Sequence, residues 1–487
     1  MEEFTLQSFY GGMADSIRER SGFKFEVSKH FDIFSDPKRL IPYKTISANN
    51  SGLNVNNQVQ NIMIVQNTST SDAVILGKVS STNKPKLFMN SGTDAAWEAL
   101  TTGESANNET HFKMFIKFGG KYYGRGSVGT RIWSYNPSTN TFTEDASGAT
   151  LLLDNAKDTK CNAIVGKANG FLYFPTGNLL HYFDGSSWGT ALITIPSDEN
   201  IIGLANYGNY LAILTDKSYI YLWDFASTSA DEIIELEDGS YSVLGSVGGI
   251  LVAIGQKVTH AGSEIVASQW AGGTPEVFFR KILSSTVSIV QGIVRQRYGK
   301  LFFAVNDTTT GRPYQGIWVV GRRKAGYPLA VTIAFDYLEN GGTAANIVNF
   351  EVDYAKMYVI TDDYLVHKLS ASTYATTGPI SYLQTTKYTA SDEAKPRAVA
   401  MNYEPLPADG SIKLYYRKDE ETSWTQIFAD TTDNSVSHST DIIEGTTTYP
   451  LPDYAEIQFR IESLGGAMPT EFKFKAKENQ TIYSVEK

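Results

Sequence analysis

Apolar and polar positions along most of this chain alternate with a period of two, in short runs cut by Gly, Asn or Asp. Successive side chains of a strand face opposite sides, so this period predicts half-buried β-strands, and the short turn-formers between runs predict hairpins. One phrase recurs: a turn containing Gly or Asn, then a strand mixing aliphatic and aromatic residues. It reads FGGKYYG around Tyr122, KANGFLYF around Phe171, NYGNYLAIL around Tyr210, SVGGILVAI around Ile250, QRYGKLFFAV around Leu301 and DYAKMYVI around Met357. The successive spacings are 49, 39, 40, 51 and 56 residues, and a second strand ending in an aromatic (RIWSY, LLHYF, YIYLWDF, GIWVV) usually follows. The pair NIMIVQN and AVILGKV, near residues 61–80, adds one more unit.

A period near 40 to 50 residues is the signature of a β-propeller, because a four-stranded blade cannot bury both faces alone and stacks radially until a ring closes. The expectation is an all-β chain with an irregular six- or seven-bladed propeller over residues 51–378; a large sandwich of hairpins is the competing architecture. The clearest copy is KMFIKFGGKYYGRGSVGTRIWSYNPSTNTF, residues 113–142. Its diglycine, aromatic strand and Tyr135-Asn136-Pro137 turn resemble a kelch repeat. Trp133 and Tyr135 are expected to fill space between blades.

The texture changes at both ends. From residue 379 to 487, IKLYYRK and AEIQFRI alternate cleanly between proline-containing loops, which predicts a separate C-terminal β-sandwich. Residues 1–50 hold neither period for long. This extended N-terminal arm scatters apolar anchors among charges and prolines, so Phe9, Tyr10, Phe25, His30, Phe31, Phe34 and Pro37 are candidate contacts to a neighbouring subunit.

Composition supports all-β: aromatics make up 12%, and 41 glycines supply turns. A single cysteine, Cys161, excludes an intrachain disulfide framework and a multi-cysteine zinc site. No basic-then-apolar leader opens the chain and no apolar run approaches a membrane-spanning length, so folding in a cytoplasm with no membrane-spanning segment is expected. A net charge of −10 argues against ordinary nucleic-acid binding, yet suits a surface that nucleic acid passes without sticking.

Candidate chemistry is sparse. The six histidines (His30, His111, His181, His260, His367, His438) include no pair at helical ligand spacing. There is no P-loop and no Gly-x-Ser-x-Gly elbow. The stretch DNAKDTKCN lacks the glycine and terminal glutamate of a calcium loop. YFDGSSW, residues 182–188, resembles the Asp-box turn of sialidases with Trp188 one residue early, and an Asp-Gly hairpin turn accounts for it. Arg322-Arg323 reads as a solvated turn, and Trp223-Asp224 occurs once without the partner motif of a WD blade. The expectation is no enzyme, no catalytic residues, no cofactor and no metal.

The arm carries the most specific likeness. FYGGMADSIRERSGFKFEVSKHFDIFSDPKRLIPY resembles the opening of virion structural proteins of tailed bacteriophages, through Gly11, Gly12, Asp15, Lys29, His30, Phe31, Asp32, Pro37, Leu40 and Pro42. That resemblance covers about 45 residues; a propeller followed by a small sandwich is similar to tail nozzle proteins of short-tailed phages in architecture alone. It implies a structural tail component, at the nozzle or in an adaptor-proximal ring, that forms part of the channel for genome ejection. The implied partners are further copies in a homo-oligomeric, hexameric ring, the adaptor, portal-proximal proteins and fibres, with DNA passing without specific binding. The implied place is the virion tail, after assembly in the host cytoplasm. The alternatives are a tail protein that binds a host-surface glycan or receptor, with tyrosines such as Tyr314 or Tyr354 as stacking platforms, and a glycan-degrading enzyme.

Overall fold

In the computed structural model, residues 2–6, 9, 11–14, 24–36, 38–48, 53, 58–65, 73–79, 85–90, 96–99, 115–125, 132–145, 164–165, 170–336, 345–353, 356–370, 373–376, 381–441 and 451–478 are described. Every regular element among them is a β-strand, as the period of two predicts. The chain divides into two compact units: Ile46–Ile317 with Gly342–Leu369, and Met1–Thr45 with Trp318–Gly341 and Ser370–Lys487.

The first unit is a β-propeller. Five blades are antiparallel meanders of four consecutive strands, within residues 58–99, 116–145, 164–190, 201–235 and 240–283. Five is fewer than the six or seven expected, because the last two recurrences do not run on into four consecutive strands of this unit. Met357 sits in a sheet of Ile347–Asp353, Lys356–Thr361 and Val366–Leu369 whose outermost strand is Ile46–Ala48, from before the first blade. Leu301 sits in the hairpin of Val287–Arg297 and Lys300–Asp307.

The first strands of these sheets stand side by side. Ile116–Phe118 packs on Ile164–Val165, and that strand packs on Ile201–Tyr207. Then come Ser240–Val247, Val287–Arg297 and Ile347–Asp353, and the last returns to Gln58–Val65. Met63 and Val65 share one core cluster with Phe115, Tyr122, Trp133 and Tyr135, which completes the circuit. The two aromatics expected to fill space between blades do so: Trp133 is fully buried and stacks on Phe142 at 5.1 Å.

The diglycine has a backbone reason. Gly119 and Gly120 both have positive φ, 53° and 81°, which a side chain would strain. Gly248 and Gly249 repeat the device at 56° and 82° in the fifth blade. Asn140 closes the Tyr-Asn-Pro turn at φ 54°, accepting a hydrogen bond from Tyr135 at 3.0 Å.

A second repeat lies in the polar turns. Asn200 donates its backbone and side-chain N–H groups to Asp216, at 2.9 and 2.6 Å, and accepts the Asp216 amide at 2.9 Å. Asn346 holds Asp362 in the same way, at 2.9, 2.9 and 2.8 Å. Each clamp ties the entry of a first strand to the turn after the second, and each first strand then bulges, between Ile201 and Gly203 and between Ile347 and Asn349. A bulge adds twist and re-aims side chains, and here it lies on the strands that surround the propeller's centre.

Among the described residues, the second unit holds the short pair Phe31–Asp32 with Ile41–Pro42 and a large sheet that folds into two layers. One runs Thr425–Asp430, Ser411–Lys418, Tyr454–Leu464, Ser381–Thr385, Phe25–Lys29 and then Ala330–Phe335. The other runs Glu2–Leu6, Pro469–Glu478, Tyr388–Tyr403 and Ser437–Asp441. Tyr388–Tyr403 starts against Tyr454–Leu464 and, after an irregularity between Thr389 and Ala394, continues against Pro469–Glu478, so it joins the two layers. Phe459 of the first layer meets Phe472 and Phe474 of the second at 4.9 and 4.7 Å, and Phe459 and Phe472 are fully buried. The arm expected as a separate segment therefore belongs to this unit: its strands pair with strands near the far end of the chain.

The clamps are expected to act as equals. Asn200→Ala and Asn346→Ala should each lower stability by about 1–2 kcal/mol, the loss of exposed hydrogen bonds, read as a fall in the urea midpoint. An unchanged midpoint in both variants would show the clamps to be idle.

Candidate functional site

The residues that carry the arm's likeness are drawn inward. Phe25–Lys29 lies between Ser381–Thr385, antiparallel, and Ala330–Phe335, parallel. Phe9, Phe25, His30 and Phe31 are fully buried and Phe34 is 6% exposed, so these candidate intersubunit contacts lie within this chain's own core. Tyr10 and Pro37 lie outside the described residues. The signal missed in the sequence was pairing: a strand flanked on both sides hides its aromatics, whereas an arm shows them.

A polar lock sits in that core. Lys29 Nζ meets Asp336 Oδ2 at 2.7 Å with both side chains nearly inaccessible. His30, at φ 58°, faces the Asp336 backbone through Nε2, 2.5 Å from the carbonyl oxygen and 3.2 Å from the amide nitrogen. The His30 carbonyl accepts from the Tyr43 amide at 2.8 Å and from the Ser381 hydroxyl at 3.3 Å. Burial holds the His30 imidazole below its ordinary pKa, against the smaller upward pull of Asp336. Asp32 turns the next loop by accepting from the Phe34 and Ser35 amides at 2.9 and 3.1 Å, and Leu40 donates its amide to the Pro469 carbonyl at 2.8 Å.

The other motifs resolve into turns. Asp184 accepts from the Ser186 and Ser187 amides at 2.8 and 2.7 Å, and these bonds hold its carboxyl below the usual range. Asp224 does the same with Ala226 and Ser227, while Trp223 donates to the Ser227 carbonyl at 2.7 Å. Arg323 lies over the Tyr327 ring. Tyr314 lies under Lys281, 5.6 Å from its ammonium. Tyr354, His111 and residues 154–162 with Cys161 lie outside the described residues. Among the described residues, no group of three or more His, Cys, Asp or Glu side chains gathers to hold a metal.

Among the described residues, the first strands of several blades bring side chains to a common space at the propeller's centre. Its cavity of about 510 Å³ is bounded by residues of the first strands, or by their immediate neighbours. An apolar wall comes from Ile64, Ile116, Ile202, Leu204 and Leu244. The same cavity is lined by the charged residues Lys117, Arg295, Arg297, Glu351 and Asp353. Arg295 is buried with a partner at each nitrogen: Nε on Glu351 Oε2 at 2.7 Å, Nη2 on Asn349 Oδ1 at 3.3 Å and Nη1 on the Val294 carbonyl at 3.2 Å. Arg297 adds Nη2 to the other oxygen of Glu351 at 3.3 Å. Asp353 accepts the Tyr298 hydroxyl. Period-two alternation put these residues on strands, but only ring closure brings Arg297, Glu351 and Lys117 to one space.

No family model and no curated protein sequence matches this chain. Among solved structures, a chain of the "Crystal Structure of Mitotic Checkpoint Complex" is similar at 9% identity and TM-score 0.44, over 68% of this chain and 95% of that one. YCF48 from Cyanidioschyzon merolae is similar at 11% identity and TM-score 0.43, over 67% and 98%. BamB from Moraxella catarrhalis is similar at 12% and 0.40, over 70% and 96%. Likeness at this level carries no argument about activity; the propeller rests on this chain's own strand order.

Two outcomes follow from the buried charges. Lys29→Met should cost about 3–5 kcal/mol by stranding Asp336, and Arg295→Met a similar amount by leaving Glu351 with its half-exposed partner alone. Lys29→Met combined with Asp336→Leu should recover most of that loss, as measured by denaturant unfolding.

His30 sets a pH dependence. The unfolded chain binds a proton at this residue near pH 6.5, the folded chain only at lower pH, so protonation favours unfolding. Its contribution is complete above about pH 6.5 and is lost as pH falls towards the depressed folded value. His367, also held low by burial, adds in the same direction. The unfolding free energy of His30→Gln should therefore fall less steeply between pH 7 and pH 5 than that of the parent chain; equal slopes would remove His30 from the account.

Proposed function

We propose that this protein is a non-enzymatic structural component of a tailed-phage virion, a nozzle-like tail protein that works as a homo-oligomeric, hexameric ring around the path of the genome. The observation that carries this reading is the placement of the arm. The residues through which it resembles phage virion proteins include Lys29, His30, Phe31, Asp32 and Leu40, and these hold the arm in its unit by the buried ion pair, the histidine bridge and the loop bonds. A motif used for such anchoring suits a protein whose task is to hold shape under load.

In this reading the propeller is seven-sectored, with the sheet closed by Ile46–Ala48 as a sixth blade and the hairpin of Val287–Arg297 and Lys300–Asp307 as the inner half of a seventh. The central cavity has the volume of a small-molecule site, far too little for a duplex. The genome's path is therefore the space enclosed by the copies, where a net charge of −10 repels phosphates. Heterologous contacts that close by rotation build such a ring, with the adaptor, portal-proximal proteins and fibres as neighbours, in a tail assembled in the host cytoplasm.

Electron microscopy and sedimentation of the purified chain test this directly. Sixfold rings are expected, either alone or on mixing with tail partners. A chain that stays monomeric at high concentration and adds to no tail assembly would sink the proposal, and saturable binding on a glycan array would favour a receptor-binding tail protein instead.

A further inference from the structure

We propose that the cavity at the propeller's centre binds a small organic anion, with its oxyanion head on Arg297 and Lys117 and its apolar body against the isoleucine and leucine wall. The case begins with donor capacity. Among the described residues, Arg297 uses only two N–H groups, giving Nη1 to the Gln296 carbonyl at 3.1 Å and Nη2 to Glu351 at 3.3 Å. A guanidinium carries five, so three remain, and the side chain is 46% exposed. Lys117 is exposed at the same cavity, and its ammonium makes no ion pair or hydrogen bond among the described residues. The hydroxyl of Ser242, which also borders the space, makes no hydrogen bond among the described residues either. Arg295 differs: each of its three nitrogens already has a partner.

The carboxylates at the cavity are committed. Glu351 is shared by two arginines, and Asp353 takes the Tyr298 hydroxyl. Three cations against two carboxylates leave this spot positive in a chain of net charge −10. A cationic ligand would meet repulsion there. Carboxylates and phosphate monoesters are the chemistry that open guanidinium and ammonium donors take, with Arg favouring a two-point grip. About 510 Å³ lies within the range of small-molecule sites, and Ile64, Ile116, Ile202, Leu204 and Leu244, which line the same cavity, would desolvate an aliphatic or aromatic body.

Isothermal titration of the full chain tests this with hexanoate and phenyl phosphate as probes, hexanol as the neutral control and inorganic phosphate as the head alone. Saturable binding of hexanoate or phenyl phosphate is expected, and the tighter of the two identifies the head group. Hexanol and inorganic phosphate should each bind more weakly than the corresponding anion with a body. Arg297→Gln should weaken binding about tenfold or more, with Arg297→Lys intermediate. Lys117→Gln, at an exposed site and therefore safe for folding, should weaken it independently. Thermal melts matching the parent chain confirm that each variant is folded. No saturable binding by either organic anion, hexanol as good as hexanoate, or full affinity in folded Arg297→Gln would each overturn the proposal. Because the test reads a monomer's cavity, its failure leaves the ring untouched, and a chain that forms no ring can still pass it.

Discussion

Every strand has two edges, and each unpaired edge leaves backbone N–H and C=O groups that need partners. The organisation of this protein depends on how that requirement is met at the start of the chain. Ile46–Ala48 completes the sheet of Ile347–Leu369 in the propeller unit. In the other unit, Phe25–Lys29 fills the place between Ser381–Thr385 and Ala330–Phe335, and Glu2–Leu6 covers the edge of Pro469–Glu478. These three strands thus pair with strands that lie more than 280 residues further along. Pairing over such separations must wait for long loops to close, so folding of both units is expected to be slow and late to lock.

Such closure brings charge into the interior, and the chain handles it in pairs. Lys29 with Asp336 and Arg295 with Glu351 are each buried; the Asp336 amide donates to His30, and Arg295 donates further to Asn349 and to the Val294 carbonyl. A buried pair adds little net stability over apolar residues of the same shape, but breaking it is costly. Lys29–Asp336 ties the arm's strand to the end of Ala330–Phe335, and Arg295–Glu351 ties Val287–Arg297 to Ile347–Asp353, the inner strand of a neighbouring sheet. Arg297 shares that second carboxylate and still has donors to spare, which separates a structural pair from a binding group on the same strand.

How much was legible in the sequence varied by element. The meander of residues 116–145 was fully so, because its diglycine, its aromatics and its Asn-Pro turn are all local devices. The Asp184 turn was legible for the same reason. The blade tally was not, since Ile46–Ala48 is three residues of unremarkable text whose sheet partner lies far along the chain. The arm misled in an instructive way. Phe25, Phe31 and Phe34 were visible as anchors, but sequence spacing does not say whether an anchor is set in a neighbour or at home. The cavity was invisible, because Lys117, Arg297 and Glu351 belong to three strands with no local relation.

The sequence by itself determined the all-β class, the period of the blades, the turns and the residues that pack between blades. These follow from alternation, φ preferences and aromatic bulk, which act over a few residues. Only the tertiary structure decided which strands close each sheet, that the arm's aromatics and its lysine are buried in this chain, and that a positive, half-apolar cavity lies at the propeller's centre. Those outcomes depend on edges and charges finding partners hundreds of residues away, and no local preference encodes such a meeting.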